Sequence, residues 1–192
     1  RRVLIKDSAF KELMKLSEGK RIFYHKVPGN VGDDLIHAAT RQLFRRFKIE
    51  VVKSLEDADQ VVMCGGGSIG IWDGCAEARR KVYEYCEANG VPIILHPQSV
   101  GGPDETIPDI VEHRFVREWN SLPLMSGARL MPDMALAYHV PKDHGPATHG
   151  VGLFLRTDPE ALFPDHPDSL GDPPRMVPRD LDEYFKLAAG YE

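Results

Sequence analysis

Apolar residues recur along this chain with two different periods, and the alternation between them predicts the fold. Over residues 9–17, Phe10, Leu13, Met14 and Leu16 fall at helical spacing. A short apolar run, Arg21-Ile22-Phe23-Tyr24-His25, then reads as a strand, and a turn rich in glycine, Pro28-Gly29-Asn30-Val31-Gly32, follows it. Leu35, Ile36, Ala39, Leu43, Phe44 and Phe47 return to the helical period. Asp33 and Asp34 stand where carboxylates favour a helix start, and Arg45, Arg46 and Lys48 where cations favour its end. The order then repeats. Residues 49–53 and 60–64 read as strands, Gly65-Gly66-Gly67-Ser68 as a turn, and residues 76–89 as a helix closed by Gly90. Residues 91–95 form an uninterrupted apolar run, the mark of a strand buried on both faces, and His96-Pro97-Gln98-Ser99 is expected to end it. Residues 115–116 and 128–131 suggest further short strands, with a short helix over 118–125 between them.

Strands alternating with helices predict an α/β domain over residues 1–140, with a mostly parallel Rossmann-like sheet and flanking helices. Beyond Tyr138 the texture changes, because eight of the 15 prolines lie between Pro141 and Pro178. Such density disfavours regular elements, so residues 141–192 read as a proline-rich linker and the start of a second, incomplete domain. Within it, residues 150–156 read as an opening strand and 180–189 as a helix.

Composition narrows the function. With 24 Lys plus Arg against 29 Asp plus Glu, the formal charge is −5, which argues against a phosphate-neutralising face and hence against broad nucleic-acid binding. The 42% hydrophobic content is that of a folded domain. No apolar run reaches the ~20 residues of a membrane-spanning helix. Cys64, Cys75 and Cys86 recur every eleven residues, which is neither metal-ligand spacing nor a disulfide framework, and they read as reduced thiols of a cytoplasmic protein. The chain opens on Arg1 rather than Met, so it reads as part of a longer product.

Open parallel sheets bind ligands outside the carboxyl ends of their strands. Three segments fall there: the Gly29 to Asp33 turn, the Gly65 to Ser68 turn, and His96 to Ser99. Glycines let a backbone approach a ligand, and free N–H groups at such turns receive oxygen ligands. Gly65-Gly66-Gly67-Ser68-Ile69-Gly70 lacks the spacing of a dinucleotide fingerprint, and no P-loop lysine follows it. His25 and His96 each follow an apolar run, so both are candidates for a general acid near neutral pH, and as readily for histidines bonded to neighbouring loops. Arg117 with Glu118 or Asp133 reads either as an ion pair fixing the sheet edge or as part of a binding site. Asp33 and Asp34 need no metal to explain them.

Taken in order, Gly29-Asn30-Val31-Gly32-Asp33-Asp34-Leu35-Ile36, Val62-Met63-Cys64-Gly65-Gly66-Gly67-Ser68, His96-Pro97-Gln98-Ser99-Val100, Val116-Arg117-Glu118-Trp119-Asn120-Ser121-Leu122 and Met131-Pro132-Asp133-Met134-Ala135-Leu136 resemble the polysaccharide pyruvyl transferase family. The resemblance spans residues 21–156. It implies a two-domain architecture of the glycosyltransferase-B type, with a cleft between Rossmann-like halves. It also implies transfer of pyruvate from phosphoenolpyruvate to sugar hydroxyls, forming a ketal on a cell-surface polysaccharide or exopolysaccharide. The donor is then phosphoenolpyruvate and the acceptor a saccharide or lipid-linked saccharide, with the protein in the cytoplasm or peripheral at the inner face of the membrane. Such chemistry calls for cationic forks and a general acid but no redox cofactor. Under this reading His25, His96 and Asp33 are the catalytic candidates. Gly29, Asn30, Gly32, Gly65, Gly66, Gly67, Ser68, Gln98, Ser99, Arg117 and Asp133 line the substrate. Arg156 matches by position the family's first donor-binding arginine, and the later arginine and histidine fall beyond Glu192, as in a truncated two-domain enzyme. A nucleotide-sugar glycosyltransferase and a non-catalytic glycan-binding module are the alternatives.

Overall fold

The computed structural model describes residues 7–70, 73–102 and 106–139. The chain divides into two compact units, Arg1–His139 and Val140–Glu192. The strand and helix expected over 150–156 and 180–189, and with them Arg156, lie outside the described residues.

Seven strands form one sheet in which each paired strand runs parallel to its neighbour. In chain order they are β1 (Arg21–His25), β2 (Glu50–Val52), β3 (Gln60–Met63), β4 (Gly66–Ile69), β5 (Ile93–Val100), β6 (Val111–Val116) and β7 (Arg129–Leu130). Across the sheet the order is β2-β1-β3-β5-β6-β7, with β4 pairing β5 beyond the end of β3. Among the described residues three helices flank it: α1 (Asp7–Lys15), α2 (Val31–Arg46) and α3 (Asp73–Asn89). This is the expected α/β Rossmann-like arrangement.

The period of two in the strands sends alternate side chains into two cores. Ile22, Val62, Ile94 and Phe115 pack with Phe10, Leu13 and Met14 of α1 and with Ile36, Leu43 and Phe44 of α2. Val61, Met63, Ile93, Leu95 and Val116 pack on the opposite face with Val82, Tyr83 and Cys86 of α3. Covering both faces explains why Val61 to Met63 of β3 and Ile93 to Leu95 of β5 are apolar without interruption. Each such aliphatic side chain, fully buried, contributes roughly 1.5–3 kcal/mol.

Three local expectations change. β5 does not end at Leu95 but runs on through His96, Pro97 and Gln98 to Val100. Its pairing with β6 shifts register between Leu95 and Gln98, and that irregularity accommodates a proline that cannot donate to a ladder. The glycine run after β3 is likewise only partly a turn, since Gly66–Ile69 extends as β4 beside β5. The segment expected as a short helix is a 3-10 helix, Trp119–Leu124, with Pro123 inside it.

Candidate functional site

The carboxyl ends of β1, β3, β5 and β6 carry the polar groups. At the first of them, Asn30 caps α2: its side chain accepts from the Gly32 N–H at 2.8 Å and from the backbone N–H of Asp33. Asp33 closes the box by accepting from the Asn30 N–H through Oδ2, again at 2.8 Å. A β-carbon on Gly29 would overlap the Asp33 carboxylate, so this turn requires glycine there. The other carboxylate oxygen, Oδ1, lies 3.2 Å from the place a β-carbon on Gly66 would occupy. Asp33 therefore stands between the two glycine turns and brings them into one site. Gly66 has φ +145, open to glycine and strained for other residues.

The loop that leads into α2 is tied to the sheet from below. Tyr24 Oη and His37 Nδ1 are 2.8 Å apart, and His37 Nε2 lies 3.1 Å from the Val27 carbonyl. With Nε2–H donating to that carbonyl, Nδ1 is left to accept from the tyrosine. The Val27 N–H donates to Cys64 Sγ at 3.3 Å. Burial pushes the Cys64 thiol up to about 11, so it is a neutral structural contact at neutral pH rather than a nucleophile.

The middle of the edge is packed backbone on backbone. A β-carbon on Gly65 would sit 2.8 Å from the Pro97 carbonyl oxygen, which fixes the glycine by close approach of β5. Gln98 is buried; its Nε2 donates to the Cys64 carbonyl, while its Oε1 has no partner among the described residues. Ser68 is held by Arg79 of α3, whose Nη1 donates to Ser68 Oγ at 2.7 Å and whose Nη2 donates to the Ser68 carbonyl at 3.1 Å. Arg79 is only 1% exposed, a buried guanidinium directly under the glycine segment.

Beyond Gly67 lies a connected polar group. Arg117 Nε donates to Ser99 Oγ at 2.6 Å and Nη1 to Asp133 Oδ2 at 2.6 Å. Ser99 Oγ donates in turn to Glu118 Oε2 at 3.0 Å. From the other side the Val100 N–H donates to Ser121 Oγ at 2.8 Å, and Ser121 Oγ donates to Glu118 Oε1. Asp133 is itself fixed, since its Oδ1 accepts from the Ala135 N–H at 2.7 Å. Arg117 Nη2 has no partner among the described residues and lies 3.1 Å from the β-carbon position of Gly67.

The two histidines separate. His25 ends β1, half-buried, with Nε2 unpartnered among the described residues. Burial lowers its pKa and the charge of Arg79 lowers it further. His96 does not reach the edge in the way expected of a general acid near neutral pH. Because β5 continues, the residue is mid-strand and 1% exposed, with its ring centroid 6.3 Å from that of Phe44. Burial pushes its pKa down to about 3, so it is neutral and enclosed.

No family model matches this chain, and no curated protein does. A crystal structure of a functionally uncharacterized protein from Klebsiella pneumoniae subsp. pneumoniae is similar at 22% identity and TM-score 0.57, over 79% of this chain and 64% of that one. That likeness shows the fold. This chain thus spans a little under two-thirds of that protein's length.

Asp33, Gly29, Asn30, Gly32 and Gly66 form one group; Gly67, Ser99, Arg117 and Asp133 form a second that continues from it. Glu118, which the sequence suggests only as an ion-pair partner, is the point on which the second group converges. Arg79 and Ser121 belong to the site although no spacing singles them out. Arg79 does leave a signal, since it shares the apolar face of α3 with Val82, Tyr83 and Cys86 at i+3, i+4 and i+7. Among the described residues no group of three or more His, Cys, Asp or Glu is arranged to hold a metal ion, and no helix is long and apolar enough to cross a membrane.

Proposed function

We propose that this chain carries the acceptor-binding side of a transferase that moves the pyruvyl group of phosphoenolpyruvate onto sugar hydroxyls of a cell-surface polysaccharide. The reading starts from the ordered motifs that resemble the polysaccharide pyruvyl transferase family. The observation that carries it furthest is that these motifs, 100 residues apart in the chain between Asp33 and Asp133, supply one continuous row of polar groups at the carboxyl edge of the sheet.

The reaction adds a proton to the methylene carbon of the enol, which becomes a methyl group, and leaves C2 open to attack. One sugar hydroxyl forms the first C2–O bond and gives up its proton. A second hydroxyl forms the other C2–O bond as the bond to the phosphate oxygen breaks, and phosphate leaves with the electron pair and takes up that hydroxyl's proton. His25, neutral at physiological pH because burial holds its pKa down, suits the acceptance of a hydroxyl proton better than its donation. Asn30, Asp33, the Gly65 to Ser68 segment and Gln98 shape the acceptor side. Arg156 is assigned the donor's anionic groups, for which a guanidinium fork is suited.

A nucleotide-sugar glycosyltransferase is the less favoured reading. The glycine segment extends into β4, and α3 starts only at Asp73, so these glycines do not open a helix onto a phosphate.

The test is incubation of the full-length protein with phosphoenolpyruvate and a panel of hexose acceptors, following phosphate release and the new ketal methyl signal by NMR. Release coupled to ketal formation is the expected result; no release with any acceptor sinks the reading. Arg156→Ala is expected to weaken phosphoenolpyruvate binding, and an unchanged donor affinity removes that residue from the site.

A further inference from the structure

We infer that the part-exposed polar edge formed by Arg117 and Glu118 beside Gly67 is a subsite for a neutral hydroxyl of a saccharide, and that it does not take the phosphate or carboxylate of an anionic substrate. For the identity of the saccharide as the acceptor, this rests on the transferase reading above; the hydroxyl chemistry of the edge does not.

Charge decides between the two kinds of ligand. An isolated arginine at a sheet edge invites an anion. Arg117 is not isolated: Asp133 lies 2.6 Å from Nη1, and Glu118 Oε2 lies 3.5 Å from Nε. One guanidinium therefore faces two carboxylates, and the cluster carries a net −1. A phosphate brought here would meet two fixed negative charges for each positive one. What the cluster has left to offer is one N–H and carboxylate lone pairs. Arg117 Nη2 is unused among the described residues, and Glu118 uses one lone pair on each oxygen for Ser99 and Ser121. A sugar hydroxyl both accepts and donates, so it fits a donor and an acceptor held side by side.

The geometry supports rigid presentation of these groups. Both serine hydroxyls are already acceptors, of the Arg117 Nε–H and of the Val100 N–H, so their hydrogens are directed to Glu118. The carboxylate is thus held from two sides, while the Glu118 side chain remains 40% exposed. Glycine at 67 lets Nη2 lie close to the backbone, for a β-carbon there would stand 3.1 Å from Nη2 and 3.8 Å from Ser99 Cβ and would crowd its N–H. Gly67 has no left-handed φ, so alanine can be placed there without backbone strain. Ser68 adds a further donor: its Oγ accepts from Arg79, and its own hydrogen has no acceptor among the described residues. Arg117 and Glu118 are the binding residues of this subsite, with Ser99, Ser121 and Asp133 positioning them.

The experiment titrates the full chain with methyl glucoside, methyl galactoside and methyl mannoside by saturation-transfer NMR. Inorganic phosphate and phosphoenolpyruvate are titrated in parallel by calorimetry. At least one glycoside is expected to bind, and Gly67→Ala should weaken it about tenfold, the loss of one good hydrogen bond. Glu118→Gln should weaken it comparably while preserving shape. Gly67→Ala should keep the wild-type melting temperature and the wild-type response to phosphate and phosphoenolpyruvate. The inference is overturned if neither variant changes glycoside binding, if no glycoside binds, or if Gly67→Ala weakens the anions instead. Failure of pyruvyl transfer would show differently, as absent phosphate release with glycoside binding intact and still sensitive to Gly67→Ala.

Discussion

His96 is 1% exposed, and that burial alone takes its pKa from 6.5 down to about 3. The folded protein therefore holds this imidazole neutral over a range in which the unfolded chain protonates it. Stability from this residue is complete above about pH 6.5, falls as the pH drops, and the loss levels off near pH 3. The slope approaches about 1.4 kcal/mol per pH unit inside that window. His25 and His37, whose pKa values burial also lowers, act in the same direction. Urea denaturation at neutral pH and at about pH 5 should show the wild type losing stability on acidification, and His96→Leu should lose less. An identical pH dependence in the two proteins would count against this account. In the sequence His25 and His96 look alike because each follows an apolar run. Only the continuation of β5 past Pro97 tells them apart, and that depends on a register shift against β6, a tertiary event without a local signature.

At the scale of an element, α2 is the most legible part of the chain. Asp33 and Asp34 in its first turn and Arg45 and Arg46 in its last are seen where the charge pattern puts them, and Asn30 supplies the cap. The closure of the box by Asp33 is not legible, since it depends on Gly29 leaving room for the carboxylate. Gly29→Ala should accordingly cost about 1 kcal/mol, comparable with the loss of a cap by Asn30→Ala. Because the two changes remove reciprocal halves of one capping box, the double variant should fall short of their sum in equilibrium denaturation. Strict additivity would show that Gly29 and the cap are independent. The glycine segment at 65–68 reads as a turn for sound local reasons, and β4 forms there because β5 extends to meet it. Arg79 also escapes a local reading, as a basic residue on an apolar helix face makes sense only once Ser68 is seen above it.

For the whole molecule, the strand order sets a gradient of protection. β3 lies between β1 and β5, and every one of its residues is buried; β2 and β7 are at the two edges and are short. Native-state hydrogen exchange should therefore find the slowest amides in β3 and the middle of β5, and the fastest ladder amides in β2 and β7. Equal protection in β7 and β3 would contradict the topology as the source of stability. The sheet and its helices are legible because both cores impose strong periodic patterns. The edge is legible as a place, through its glycines and polar residues, but the partition of its groups is not. Which hydroxyl donates to which carboxylate depends on distances across β5, β6 and the 3-10 helix at Trp119–Leu124, and no spacing in one strand encodes them. The overlap between a side chain at 29 and the carboxylate of Asp33 has a consequence for descent as well as for stability. The two positions form a linked pair, so in any relative of this chain where residue 29 has gained a β-carbon, residue 33 should have shortened or lost its acid. Substitutions at the two sites should then appear in the same lineages, and aligned sequences can be read for that correlation before any of these proteins is purified.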